Sequence, residues 1–410
     1  MKDIRINQER LWQSLMKMAE FGATPKGGVC RLALSDEDRQ ARDLFSNWCR
    51  EAGCTVSVDK MGNIFARRPG KNDTLPPVMT GSHIDSQPTG GKFDGIYGVM
   101  AALEVIRTLN DNQVETEAPV EIVAWTNEEG SRFAPCMIGS GVFAKVFSLE
   151  EGYACKDAEG KTLGEELQRI GYVGDRPESG FDVGSYFEAH IEQGPILEDE
   201  AITIGVLTGA LGQRWFDVHL TGRESHAGPT PMHLRKDALL GAAKIVTEVN
   251  RIGFAHLPHA CATVGSMRVH PNSRNVIPGS VYLSVDFRHF MVDQLDSMEA
   301  ELRKFLATLE SELGLEVDIV PTAEFPPVYF ADECIDAVRQ GAEKLGYSHR
   351  DIISGAGHDA MYINRIAPTG MIFVPCENGI SHNEIENAEP ADLAAGCNVL
   401  LQAVLKKACI

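Results

Sequence analysis

The sequence predicts an α/β catalytic domain, a mixed central sheet flanked by helices, interrupted by an inserted α+β domain with a four-stranded sheet and two helices. Three observations predict it. Short apolar strands before residue 210 each end in polar, titratable side chains, the pattern of an α/β sheet whose ligands gather at the carboxyl ends of its strands. From residue 211 the texture changes to amphipathic strands and helices over a stretch of domain size. Apolar strands then resume at "GAGHDAMYI" and "TGMIFVPCENGISHNEIE". The expected domains are therefore 1–210 with 329–410, and 211–328 between them.

The elements follow in order. Ser35 and the acidic turn behind it open a helix over "DEDRQARDLFSNWCREAG", closed by its glycine, and "CTVSVDKMGNIFARR" alternates around a turn as a hairpin does. "PPVMTGSHID" is a strand ending in His83, and "GIYGVMAALEVIRTLND" a helix. "APVEIVAWTNEEG" and "GSYFEAHIEQG" are strands that deliver Asn127, Glu128 and Glu129, then His190, Glu192 and Gln193. Beyond residue 211 the order is strand, helix, two strands, helix, strand, and a helix closes the chain from about residue 390.

Composition narrows the function. With 58 acidic against 38 basic residues the 410-residue chain carries a formal charge of -20, which repels a phosphate backbone, and no basic cluster offsets it. Nucleic acid is excluded as a partner on that ground. Apolar runs stop short of the roughly 18 residues a bilayer span needs, and "MKDIRINQERLWQ" lacks a signal pattern, so no membrane partner and a cytoplasmic location are expected. The ten cysteines are scattered without a Cys-x-x-Cys pair, which predicts mostly buried free thiols.

"GSHIDSQPTGGKFDG" places His83, Asp85 and Asp94 in a glycine-rich loop. Together with Glu129, His190 and His382 they meet the needs of two divalent ions about 3.5–4 Å apart that share a carboxylate. Asp94 is the expected bridge, with His83 and His190 on one ion and Glu129 and His382 on the other. Nitrogen and oxygen donors without thiolate suit Zn, Mn, Co or Ni. Asp85 is expected to accept the second N–H of His83 and fix its tautomer. Glu128, beside a ligand, is free to hold a metal-bound water.

These motifs, with "TNEEGSRFAPCMIGSGVFA", "HIEQGPILE", "GRESHAGPTPMHLRKDAL", "HPNSRNVIPG", "GAGHDA" and "NGISHNE", resemble the dinuclear-metal amidohydrolases of the aminoacylase/carboxypeptidase clan. Within the clan they resemble the amidase/hydantoinase/carbamoylase branch, which contains N-carbamoyl-L-amino-acid hydrolases, β-ureidopropionases and allantoate amidohydrolases. The motifs are co-linear over nearly the whole chain.

The resemblance implies two divalent ions per subunit, the five ligands named above and Glu128 as general base. It casts His226 as donor to the substrate's carbonyl oxygen, and Gln193, Asn275 and Arg288 as substrate contacts, with Arg288 on the carboxylate. The main chain of "GAGHDA" at Gly357 is expected to assist at that carboxylate, and His358 to be structural. The inserted domain is expected to form a homodimer and close as a lid. The implied activity is hydrolysis of the ureido bond of a small ureido carboxylate, an N-carbamoyl-L-amino acid or N-carbamoyl-β-alanine, with allantoate as the alternative and, behind it, an amide or peptide substrate or a non-catalytic binding role. His219, His233, His256, His259, His270, His289 and His349 are expected to lie outside the site. Lys145 in "GVFAK" departs from the branch, where glycine is expected.

Overall fold

The computed structural model describes residues 4–409. The chain forms two compact units, one running up to Thr208 and resuming at Phe330, the other spanning Gly209–Tyr329.

Among the described residues the larger sheet has nine strands. Eight follow the order Thr55–Val58, Ile64–Arg68, Val120–Trp125, Val78–His83, Ser185–Ile191, Thr369–Val374, Ile204–Ala210 and Val328–Tyr329, and His349–Ser354 pairs with Ile204–Ala210. The four central strands are parallel and the pairs flanking them antiparallel, so the sheet is mixed, as its pattern predicts. All four parallel strands are buried along their whole length, which requires apolar sequence on both faces. The helix Ile96–Asp111 packs on Val78–His83 and against the closing helix Pro390–Ala408. Ser35 caps the helix Asp36–Glu51 by accepting the Asp38 N–H.

One expected strand is a helix instead. "GAGHDAMYI" holds the short helix Asp359–Ile363, and the strand lies just before it at His349–Ser354. A short apolar run reads the same in either conformation, and the true strand is concealed by the polar, half-buried face of "HRDIIS".

In the second unit the strands Glu316–Phe325, Gly212–Thr221, Ser280–His289 and Cys261–His270 form an antiparallel sheet in that order. Alternate residues of Ser280–His289 are buried. Val281, Leu283, Val285 and Phe287 point into a core completed by Ile245 and Val249 of the helix Ala238–Ala255 and Leu302 and Leu306 of the helix Val292–Leu313. A two-stranded ribbon joins Ser225–His226 to Val276–Ile277.

All ten cysteines are free, but only five are buried, three are partly covered, and Cys261 and Cys409 are exposed. The expectation of mostly buried thiols is met by half of them, because a short side chain tolerates either surrounding. Among the described residues no helix is long and apolar enough to cross a membrane.

Candidate metal centre

The carboxyl ends of the four parallel strands supply the site. His83 is the last residue of its strand and His190 the sixth of its seven-residue strand. Glu128 and Glu129 follow the strand that ends at Trp125, and the loop after Val374 carries His382. Asp94 closes the glycine loop one residue before Gly95, which opens the helix at Ile96 with φ +66°. A Cβ on Gly95 would lie 2.2 Å from the His83 ring, so only glycine lets the loop return to the histidine. Asn127, Gln193 and His382 all hold the left-handed backbone, with φ near +55°. Strain of this kind gathers where surrounding structure over-determines a functional geometry.

The two Asp94 oxygens face different partners. Oδ1 lies 3.2 Å from His190 Nε2 and 3.6 Å from His83 Nε2, while Oδ2 lies 3.3 Å from His382 Nε2. His382 Nε2 is 3.4 Å from Glu129 Oε2. Two groups that could hold a metal ion result, His83 with Asp94 and His190, and Asp94 with Glu129 and His382. Glu128 belongs to neither, and its Oε2 sits 3.5 Å from His83 Nε2.

Second contacts decide whether this set suits a cation. His83 Nδ1 lies 2.9 Å from the main-chain oxygen of Asp85, and His190 Nδ1 2.9 Å from that of Ile191. A carbonyl only accepts, so both rings carry a proton on Nδ1, which leaves Nε2, the atom facing Asp94, as the nitrogen available to a metal. That tautomer is the one a metal ligand needs. The residues fit divalent ions.

Buried acids surround the same point. Burial opposes ionisation of Asp94, yet contacts from His190, His382 and His83 hold its carboxyl well below the usual range. Burial pushes Glu129 up to about 7, with Asp94 adding, and pushes Glu128 well up, with Asp359 and Glu129 adding and His83 opposing. The Asp94 contact raises His382 to about 9. Acids whose chief opposing groups are imidazoles form a cluster that favours cations.

The Asp85 expectation needs correction. Its main chain, not its carboxylate, orients His83, while the carboxylate oxygens accept the N–H groups of Glu128 at 3.3 Å and Glu129 at 3.2 Å. The turn after His83 aims the side chain at the next strand end. Glu192 also turns away from the centre, accepting the N–H groups of Ile196 and Leu197.

Gln193 donates from Nε2 to Asp94 Oδ2 at 2.9 Å. His226 and Asn275 are neighbours in the second unit, where the main-chain oxygen of Asn275 accepts the Ala227 N–H. The Gly228 N–H occupies His226 Nδ1, which leaves the Nε2–H of the neutral ring as donor. Arg288 forks onto Asp286 two residues earlier, with Nη2 2.9 Å and Nε 3.1 Å from Oδ2. Gly357 precedes His358, whose buried ring packs on His190 at 4.7 Å and meets Ser354 Oγ at 2.9 Å. Lys145 takes φ +58°, a conformation that glycine adopts freely and lysine at a cost.

Sequence reasoning missed five residues. Gln87 donates to Glu129 Oε2 at 2.6 Å, and Ser381 lies 2.8 Å from Asp94 Oδ2 and 2.9 Å from Glu386 Oε2. Glu188 accepts from Ser82 at 2.7 Å, and Asp359 from Ser140. Glu188 had a legible signal, because residues two apart on a strand share a face and Glu188 stands two before His190.

Comparison with known proteins gives the family. Peptidase family M20/M25/M40 matches residues 79–406. An N-carbamoyl-L-amino-acid amidohydrolase of Rhizobium meliloti is 48% identical over 404 residues, covering 98% of this chain and 97% of the relative. An allantoate amidohydrolase of Bacillus subtilis is 33% identical over 394 residues, covering 95% of each. A crystal structure of an amidase of the hydantoinase/carbamoylase family from Burkholderia multivorans superposes with a TM-score of 0.96 at 60% identity, covering 99% of both chains. The chain therefore belongs to Peptidase family M20/M25/M40 and, within it, to the hydantoinase/carbamoylase amidases.

Proposed function

We propose that this protein hydrolyses the ureido C–N bond of N-carbamoyl-L-amino acids, releasing the amino acid, ammonia and carbon dioxide. The observation that carries the reading is 48% identity over 98% of the chain to an N-carbamoyl-L-amino-acid amidohydrolase, joined to a centre whose two ligand groups share Asp94. His83, Asp94 and His190 would hold one divalent ion, and Asp94, Glu129 and His382 a second, drawn from Zn, Mn, Co or Ni. When bound, such ions supply Lewis acidity that polarises the ureido carbonyl and makes water easier to deprotonate.

The protein's own groups do the rest. Glu128, outside both ligand groups, takes the proton from the attacking water and returns it to the departing amino nitrogen. The carbamate left behind breaks down to ammonia and carbon dioxide. Gln193 steadies the shared carboxylate and faces the substrate's polar groups. Asn275, Arg288 and the main chain at Gly357 recognise the amino-acid portion. His226 donates its Nε2–H to the oxygen on which negative charge develops, an interaction that typically lowers a barrier by on the order of 3 kcal/mol. Residues 211–328 are proposed to make the contact of a homodimer.

The experiment is ammonia release from N-carbamoyl-L-amino acids, N-carbamoyl-β-alanine and allantoate, with each metal added back to chelated protein. The highest kcat/KM is expected on an N-carbamoyl-L-amino acid. A preference for allantoate would move the protein to the activity that the Bacillus subtilis relative's name states.

A further inference from the structure

We infer that Glu386 is a positioning residue that holds the Asp94 loop and the His382 loop in one frame, so that the Asp94, Glu129 and His382 group stands assembled before an ion arrives. The inference rests on the reading of that group as an ion site. Glu386 stands four residues after His382 in "SHNEIE" and is 1% exposed. Its Oε1 accepts the main-chain N–H of Phe93 at 2.9 Å and of Asp94 at 3.1 Å. Its Oε2 lies 2.9 Å from the hydroxyl of Ser381, which is itself 2.8 Å from Asp94 Oδ2. One side chain therefore reaches the backbone of the shared ligand directly and its carboxylate through one hydroxyl. The contact from Glu386 to Asp94 spans 292 residues of sequence.

The surroundings are shaped for this contact. The Glu386 N–H bonds to the Asn383 carbonyl, and the Ile385 N–H to Asn383 Oδ1, a turn that sends residue 386 back under the loop carrying His382. On the opposite side a Cβ on Gly91 would lie 2.0 Å from the Glu386 carboxyl carbon. Any other residue at 91 would displace the carboxylate. His382 needs the support, because it lies outside helix and strand, takes φ +53°, and leaves half its side chain exposed. Glu386 meets no ligand atom of either group directly, so it acts by placement.

Chelator competition with manganese alone tests this, counting the ions bound and their separate affinities. Glu386→Ala and Glu386→Leu should weaken at least one of the two manganese affinities by about 10- to 100-fold, the usual cost of losing a partner that orients a ligand. Glu386→Gln should stay within about threefold of wild type, because its amide oxygen still accepts both N–H groups and its NH2 donates to Ser381. Ser381→Ala, which spares the main-chain contacts, should give a smaller loss in the same direction and serves if Glu386→Ala fails to fold. Wild-type affinity in Glu386→Leu would reduce the residue to packing and overturn the inference, as would a Glu386→Gln protein no better than Glu386→Ala. Wild-type protein that binds fewer than two ions would instead overturn the underlying reading, so the two failures are told apart.

Discussion

Glu128 and Glu129 are adjacent in sequence yet stand in different surroundings. Asp85 accepts both of their N–H groups and so fixes the turn from which they diverge. Glu129 Oε2 reaches His382 and the amide of Gln87, whereas Glu128 Oε2 reaches His83 and enters neither ligand group. Burial and the neighbouring acids raise the Glu128 carboxyl well above an ordinary glutamate, which makes it a readier proton acceptor than a solvated one. Glu128→Gln keeps the shape and removes the basicity. Its kcat should fall by roughly 10²- to 10⁴-fold while elemental analysis still finds the wild-type metal content. A wild-type rate would move the base elsewhere, and loss of metal would make Glu128 a ligand.

Elements whose cause is local were legible in the sequence. The Ser35 cap and the hairpin rest on contacts between near neighbours, the six main elements of the second unit show in local alternation and helical spacing, and the structure has each of them. The histidines and acids at strand ends were legible too, since a buried strand that ends in titratable groups is unusual without a purpose. What stayed hidden depends on distant chain. Glu386 meets residues 93 and 94 only through the fold, and spacing could not tell that Asp85 orients His83 through its carbonyl and Glu128 through its carboxylate. The strand Ser280–His289 shows the same division, because its alternation announces the buried face while the pairing of Asp286 with Arg288 belongs to the other. A substrate carboxylate would draw on the guanidinium that Asp286 now holds. Charge-assisted hydrogen bonds are worth about 1.5–3 kcal/mol, so Arg288→Ala should raise KM by about 10- to 100-fold with kcat changed only a few-fold. Arg288→Lys should recover little, because an ammonium lacks the fork. Steady-state kinetics on an N-carbamoyl-L-amino acid decides, and an unchanged KM would place the anchor on another residue.

At the scale of the whole molecule, the second unit carries apolar surface that its own core leaves uncovered. On the helix Ala238–Ala255, Ala242, Ile245, Val249 and Ile252 face the sheet and are buried. Leu239, Leu240, Val246 and Phe254 are exposed, Phe254 by 69%. Leu239, Val246 and Phe254 stand seven and eight residues apart, about two turns each, and so share one side of the helix, and large contiguous apolar patches on soluble proteins mark association sites. A second copy meeting the first through this helix would form a self-complementary twofold contact, the commonest arrangement of homo-oligomers. The proposed homodimer should therefore appear in light scattering at twice the 44.8 kDa chain mass. Replacing Val246 and Phe254 together by Glu should convert it to monomer, because charges buried across a contact cost more than the contact returns. The residues facing the sheet are untouched, so far-UV circular dichroism and metal content should hold, which separates loss of association from loss of fold. A wild-type protein that is monomeric at micromolar concentration would remove the dimer, and a double variant that stays dimeric would move the contact to a different face.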